Sequence, residues 1–319
     1  MDLTRRSFLA VAAAAPIAGR MSQGPGGEAI TTRSFTRAGI EVPILGLGTA
    51  PLGTLGDDKE EAAVAVIRRA FDLGVRYFDT APSYDKHRAE RRIGKALAGR
   101  RDQVLLATKS YVAAKAGAMA ELEQSLEVLG TDHVDVFQVH AVGDDEDRKR
   151  KLDPDGGTLA AAVQAKKDGK CRFIGVTGHA HPEVLAQCLD DFAFDTMLVP
   201  VNCADPLWRS FVEGVLPKAK AKGTSVVAMK VFAAGKLIGR DGGPTAEQCL
   251  RWALSQDVAV AVPGCTTIAH VETDAAVVRP FVAMGREEQQ AVTAAVGAHP
   301  GKTLEWYKKE KAATKQAGK

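Results

Sequence analysis

Eight short apolar runs recur along the chain, each followed by a segment with helical spacing, and this alternation constrains the fold more than any other feature. The runs cover residues 44–48, 76–79, 104–108, 134–139, 173–177, 196–201, 225–229 and 258–262. They are almost continuously apolar, as strands are when helices cover one face and a packed interior the other. Helices are expected at 59–73, 88–98, 116–129, 159–168, 182–188, 209–222 and 245–254, with an eighth starting near Thr267. Pro182 suits an early helical position, where its missing N–H is not needed. Gly74, Gly130, Gly169 and Gly223 each follow a helical run, where glycine relaxes the left-handed exit turn. Before the first run, residues 30–43 read as a short hairpin turning at Ala38-Gly39.

Strand–helix units of this kind build a parallel sheet. A chain of 319 residues suits one large barrel, an open doubly wound sheet, or two smaller α/β domains. A dinucleotide fingerprint of the open-sheet type is missing, since Gly46-Leu47-Gly48-Thr49-Ala50-Pro51 has the wrong glycine spacing. No linker-like break divides the body. The expected fold is therefore α/β, a (β/α)8 TIM barrel with an N-terminal β-hairpin, spanning 30–319. Its active site is expected at the C-terminal ends of the strands.

Those ends carry polar side chains. Asp79 closes the second run, and Tyr84 follows it by five residues in Tyr77-Phe78-Asp79-Thr80-Ala81-Pro82-Ser83-Tyr84. Lys109 follows the third run and His140 the fourth. Alone, each has an ordinary reading: Asp79 as a cap, Tyr84 as a loop aromatic, Lys109 as a solvated strand end, His140 as a structural histidine. Together they form a proton-donating set. A phenol titrates near pH 10, a neighbouring ammonium lowers that value, and a carboxylate fixes the ammonium. Such a phenol protonates a carbonyl oxygen, with an imidazole orienting it, while a hydride reaches the carbon. No side chain supplies a hydride, which implies a nicotinamide cofactor.

At these residues the chain resembles the aldo-keto reductase family, from about Arg37 to Tyr307. The resemblance implies that Asp79, Tyr84, Lys109 and His140 are catalytic, that the cofactor is NADP(H), with NAD(H) as the other option, and that the substrate is a small carbonyl compound. It carries cofactor contacts onto Gly48, Thr49, Thr177, Gly178, Asn202, Met229, Lys230, Gly264, Cys265, His270 and Asp274. Several of these depart from the family pattern. Gly178 lacks the usual amide, Leu198 replaces a glutamine and Met229 a tyrosine. Gly264-Cys265 replaces a Lys-Ser pair, His270 an arginine and Asp274 an asparagine. Lys230 is a candidate for the pyrophosphate. These changes resemble a divergent prokaryotic branch, some members of which carry a C-terminal iron–sulfur cysteine run; this chain has no cysteine after Cys265. Tyr111 and Trp208 are candidate substrate walls. With no long third loop, an open pocket is expected.

Composition narrows the partners. A net charge of +3 gives no reason to expect nucleic acid, and the cluster Arg148-Lys149-Arg150-Lys151 reads as a solvated loop. Five cysteines, with no close pairs, have no zinc or iron–sulfur spacing, so no metal is expected. At the N-terminus, Arg5-Arg6 and Phe8-Leu9 precede an apolar run of about 11 residues, too short to span a bilayer. Residues 1–20 therefore look like a twin-arginine signal, cut near Ala15 or Ala18, with a linker at 21–29. This predicts a periplasmic enzyme that meets the export machinery and has no stable membrane anchor. The other reading is an Ala-rich first helix and a cytoplasmic protein. Two further functional readings stand beside the reductase: a nicotinamide-binding, redox-responsive subunit without turnover, and a lyase or isomerase with transient hydride transfer on a sugar.

Overall fold

The expected alternation closes into a barrel. The computed structural model describes residues 29–297 and 301–310; the expected signal segment and all of the expected linker but Ala29 lie outside the described residues. Strands β1 (Thr32–Phe35) and β2 (Ile40–Pro43) pair antiparallel as the hairpin. Eight parallel strands follow: β3 (Gly46–Gly48), β4 (Tyr77–Asp79), β5 (Leu105–Ser110), β6 (Val134–Val139), β7 (Cys171–Thr177), β8 (Thr196–Pro200), β9 (Ser225–Met229) and β10 (Val260–Ala261). Each pairs with its sequence neighbour, and the last returns to the first through the Leu45–Ala261 and Gly48–Gly264 bridges. Glycine is needed at this seam. A Cβ on Gly48 would lie 2.8 Å from the Val262 carbonyl oxygen, and one on Gly264 would lie 2.6 Å from Pro51 Cγ.

Side chains at every second position fill the interior. Tyr77, Leu105, Ala107, Val136, Phe173, Leu198, Val227 and Val260 form one buried cluster there. The hairpin seals its N-terminal mouth, where Phe35 meets Tyr77 and Phe173 edge-on at 5.6 and 6.3 Å. The same two-residue period carries Asp79, Lys109, Gln138 and His140 inward at the opposite mouth.

The helices form the outer layer: α1 (Ala50–Thr54), α2 (Glu60–Asp72), α3 (Arg88–Leu97), α4 (Lys115–Leu129), α5 (Asp145–Lys151), α6 (Thr158–Lys167) and α7 (Pro182–Asp191), then α8 (Phe211–Gly214), α9 (Leu216–Ala221), α10 (Ala246–Leu254), α11 (Ile268–Val277), α12 (Arg286–Ala295) and α13 (Gly301–Leu304). Two differ from expectation. The helix expected at 209–222 is broken into α8 and α9, because Gly214 weakens it and Pro217 cannot donate within it. The basic cluster at 148–151 is no loop but the last turn of α5, a helix whose N-terminus is capped by the Asp144 side chain.

Candidate active site

Lys109 is the hub of the C-terminal mouth. Its Nζ donates to Asp79 Oδ1 at 2.6 Å, to the Thr80 carbonyl at 2.6 Å and to Tyr84 Oη at 3.1 Å. Gln138 Nε2 donates to the second carboxylate oxygen of Asp79 at 3.1 Å. The sequence reading missed Gln138; its signal was a polar residue on the inward period of β6. Burial works against the Lys109 charge, but Asp79 and then Tyr84 outweigh it and hold the ammonium above its ordinary pKa. For Tyr84 the balance runs the other way. Burial raises the phenol above its ordinary value even though Lys109 lowers it. The net depression expected from the lysine is thus absent, and Tyr84 is a neutral phenol at neutral pH.

The loop holding Tyr84 is tightly constrained. Asp85, Lys86 and His87 follow it with φ of 54, 51 and 65°, a left-handed run without glycine. A chain of contacts secures it: His87 Nδ1 meets Glu90 Oε2 at 2.5 Å, and Thr108 Oγ1 donates to Glu90 Oε1 at 2.6 Å. Gly53 in α1 lets the loop approach, since a Cβ there would stand 2.7 Å from the Tyr84 carbonyl oxygen. The phenol is therefore positioned in advance, with little left to reorganise.

His140 faces Tyr84 edge-on, with ring centroids 6.3 Å apart, and lies against Tyr111 at 3.8 Å. Burial, then the charges of Lys109, Lys151 and His179, push its pKa well below the ordinary histidine value, so the ring is neutral. Its buried Nδ1 has no hydrogen-bond partner among the described residues. A buried N–H lacking an acceptor is costly, which assigns the proton to Nε2.

A cleft of about 560 Å³ runs from Asp79 and Tyr84 past Met229 and Lys230 to His270, Thr273 and Asp274. Gly48, Gly264 and Cys265 also line it. Lys230 has a left-handed φ of 53° and no ion-pair partner among the described residues; its Nζ lies 4.9 Å from the Tyr307 ring centroid. Burial lowers its pKa. A cleft that carries an unpaired lysine in its lining fits a ligand with charged phosphates, such as a dinucleotide. At the far end Cys265 Sγ donates to Asp274 Oδ2 at 3.2 Å, and burial pushes the Asp274 carboxyl up to about 6.

The other expected cofactor residues, Thr49, Thr177, Gly178 and Asn202, are not among the lining residues of this cleft and contact protein groups. Thr49 Oγ1 donates to the Asp79 carbonyl at 2.9 Å. The Thr177 carbonyl accepts from Val142 N–H at 2.8 Å. At Gly178 a Cβ would stand 2.5 Å from Leu185 Cδ2 and 2.7 Å from the Val142 carbonyl oxygen, so the family's amide has no room there. Asn202 Nδ2 donates to Glu305 Oε1 and Tyr307 Oη, each at 3.0 Å. Trp208 lies outside the cleft lining, and its carbonyl accepts from Lys308.

Residues 305–309 strap across the ends of β7, β8 and β9, with Lys308 paired to the buried Asp205 and Glu305 at 2.7 and 2.5 Å and Lys309 N–H bound to the Ala180 carbonyl. The Tyr307 ring lies beside Lys230, and its place was hidden in the sequence because Asn202 and Lys230 are far from it along the chain.

Comparison with known proteins decides the family. The model of the aldo/keto reductase family matches residues 44–243. The chain belongs to the aldo-keto reductase family. Membership makes it an NAD(P)-dependent oxidoreductase. This reductase chain is similar to the L-galactose dehydrogenase of Arabidopsis thaliana, 26% identical over 87% of this chain and 97% of that protein. Among solved structures it resembles an aldo-keto reductase from Bacillus halodurans in its holo form, with a TM-score of 0.71 and 26% identity, covering 85% of this chain and 97% of the other. It also resembles an aldo-keto reductase from Klebsiella pneumoniae in complex with NADPH, with a TM-score of 0.69 and 26% identity over 82% and 94% of the two chains.

Proposed function

We propose that this reductase converts a small aldehyde or ketone to the alcohol, with Tyr84 as proton donor and NADPH as the preferred reductant. The observation that carries the reading is the placement of Lys109 Nζ between Asp79 and Tyr84 at the inner end of the cleft. A bound nicotinamide supplies the hydride. Tyr84 gives its proton to the carbonyl oxygen, and Lys109 steadies the phenolate left behind. The Nε2–H of neutral His140 donates to the same oxygen, so developing negative charge meets donors already in place. Asp79 and Gln138 keep Lys109 aimed. Met229, Lys230, Gly264, Cys265, His270 and Asp274 would hold the nucleotide along the cleft. Tyr111, which is 46% exposed beside His140, is the substrate wall best supported by position. The Klebsiella relative solved with NADPH supports the choice of cofactor. The Arg5-Arg6 segment supports export as a folded enzyme.

Tyr84→Phe tests the reading. It removes one hydroxyl, leaves the loop intact and should lower carbonyl reduction by roughly 10²-fold or more, the scale of general acid catalysis, with NADPH binding kept. Near-wild-type turnover would refute it.

A further inference from the structure

Lys151 ends α5, and unlike its basic neighbours Lys149 and Arg150 it turns inward, to 4% exposure. Its Nζ donates to the carbonyl of His140 at 2.7 Å and of Ala141 at 3.3 Å. It pairs with Asp147 Oδ2 at 2.9 Å and stands 5.5 Å from the Tyr111 ring centroid. Ala141 has a φ of 48°, left-handed for a residue with a side chain. Such a conformation persists only where its surroundings enforce it. A buried ammonium is costly unless its donors are met, and here each partner belongs to the turn behind His140 or to the helix bracing it. Asp147 is itself fixed, since its Oδ2 accepts from the Gly143 N–H at 3.0 Å.

We propose that Lys151 is a positioning residue for His140: by holding the His140 and Ala141 carbonyls it fixes the strained turn, keeping the imidazole against Tyr111 and facing Tyr84. The proposal rests on the reading above that His140 meets the substrate oxygen. Lys151 also contributes charge. The groups facing His140 are Lys109 from β5, Tyr84 and Tyr111 from the loops after β4 and β5, Lys151 from α5, and His179 after β7, with Asp147 behind Lys151. Removing Lys151 therefore weakens the cationic field at the imidazole and raises the pH at which it titrates.

The experiment compares full-length wild type with Lys151→Met, Lys151→Arg and Asp147→Asn. It measures NADPH-dependent reduction of 4-nitrobenzaldehyde, NADPH binding, and the ring Cε1–H resonance of His140 by NMR, assigned through its loss in His140→Asn. Lys151→Met should bind NADPH as wild type does, lose roughly 10- to 100-fold in kcat with a smaller change in KM, as expected of a small misplacement, and show His140 titrating at higher pH. Lys151→Arg, which keeps charge and donors, should recover most of the kcat. Wild-type kcat with an unmoved His140 resonance in Lys151→Met would overturn the proposal. So would a loss that arginine does not restore while the His140 titration stays fixed, which would mark mere packing. Should Lys151→Met fail to fold, Asp147→Asn takes its place, and an unshifted resonance there overturns the proposal equally. Failure of wild type to turn over any carbonyl would refute the catalytic reading, while the resonance still decides whether Lys151 positions the ring.

Discussion

Lys109 Nζ donates to Tyr84 Oη across 3.1 Å while ion-paired to Asp79, so the phenol and its electrostatic partner are linked before any ligand arrives. Burial nevertheless wins at Tyr84, whose pKa lies above its ordinary value. The sign matters for direction. Carbonyl reduction needs the protonated phenol, which is present at every pH below that raised value. Alcohol oxidation needs the phenolate, whose fraction grows as pH rises.

The first prediction follows from that balance. Between pH 7 and about 10, reduction should show no alkaline decline that depends on Tyr84, while oxidation should climb with pH. Lys109→Met removes the charge and hydrogen bond that lower the Tyr84 pKa, so the phenol becomes a weaker acid and reduction should slow by roughly 10²-fold. The check is kcat/KM against pH in both directions for wild type and variant. A Tyr84-dependent decline in reduction below pH 9 would contradict the prediction.

Asp274 carries the second. Burial raises its carboxyl to about 6 in the folded protein, against about 3.9 in an unfolded chain. The folded form thus holds the proton more tightly. Below about pH 4 both forms are protonated and nothing is lost. As pH rises through 6 the folded state must ionise a buried carboxyl, at up to ~3 kcal/mol. Asp274→Asn keeps an oxygen for the Cys265 thiol and removes that cost. Its melting temperature should exceed wild type at pH 8 and match it at pH 4. Equal gains at both pH values would trace the effect to something other than ionisation.

The barrel was legible because each strand is short, apolar and bounded by turn residues; 134–139 and 225–229 match β6 and β9 end for end. Asp79, Lys109 and His140 were legible for the same reason, since a polar residue closing an apolar run is conspicuous. What stayed hidden depends on the third dimension. In α5 seven consecutive charged residues mask the one, Lys151, that faces inward. The cofactor side was read by analogy with relatives. The sequence does not state steric facts such as the wall of Leu185 against Gly178 or the hydrogen bond between Asn202 and Tyr307.

A third prediction concerns the nucleotide. His270 is exposed, and its ring nitrogen lies 3.5 Å from Thr266 Oγ1 at the start of α11, where the resemblance implies an arginine for the 2′-phosphate. Gly264 presents no cation. Lys230 is the one lysine or arginine in the described cleft lining, so the 2′-phosphate has few fixed charges to meet. NADPH should be favoured over NADH by less than about 100-fold, or roughly 2.7 kcal/mol. Fluorescence titration with both nucleotides measures it. A much larger preference would mean that another cation serves the phosphate, and His270→Arg would then add little.

The last prediction concerns the N-terminus. No helix among the described residues is long and apolar enough to cross a membrane. Arg5-Arg6 before Phe8-Leu9 is the candidate for an export address that a receptor reads. Arg5→Lys combined with Arg6→Lys preserves the charge and the apolar run, so any purely electrostatic attraction to a membrane surface survives. Recognition of the arginine pair does not. Wild type should appear in the periplasmic fraction with its first residues removed. The double-lysine variant should stay in the cytoplasm, uncut, folded and able to reduce carbonyls, because neither substitution touches the candidate catalytic residues. Fractionation with N-terminal sequencing makes the comparison. Identical cytoplasmic distributions, with Met1 retained in both, would show that residues 1–20 are no export signal.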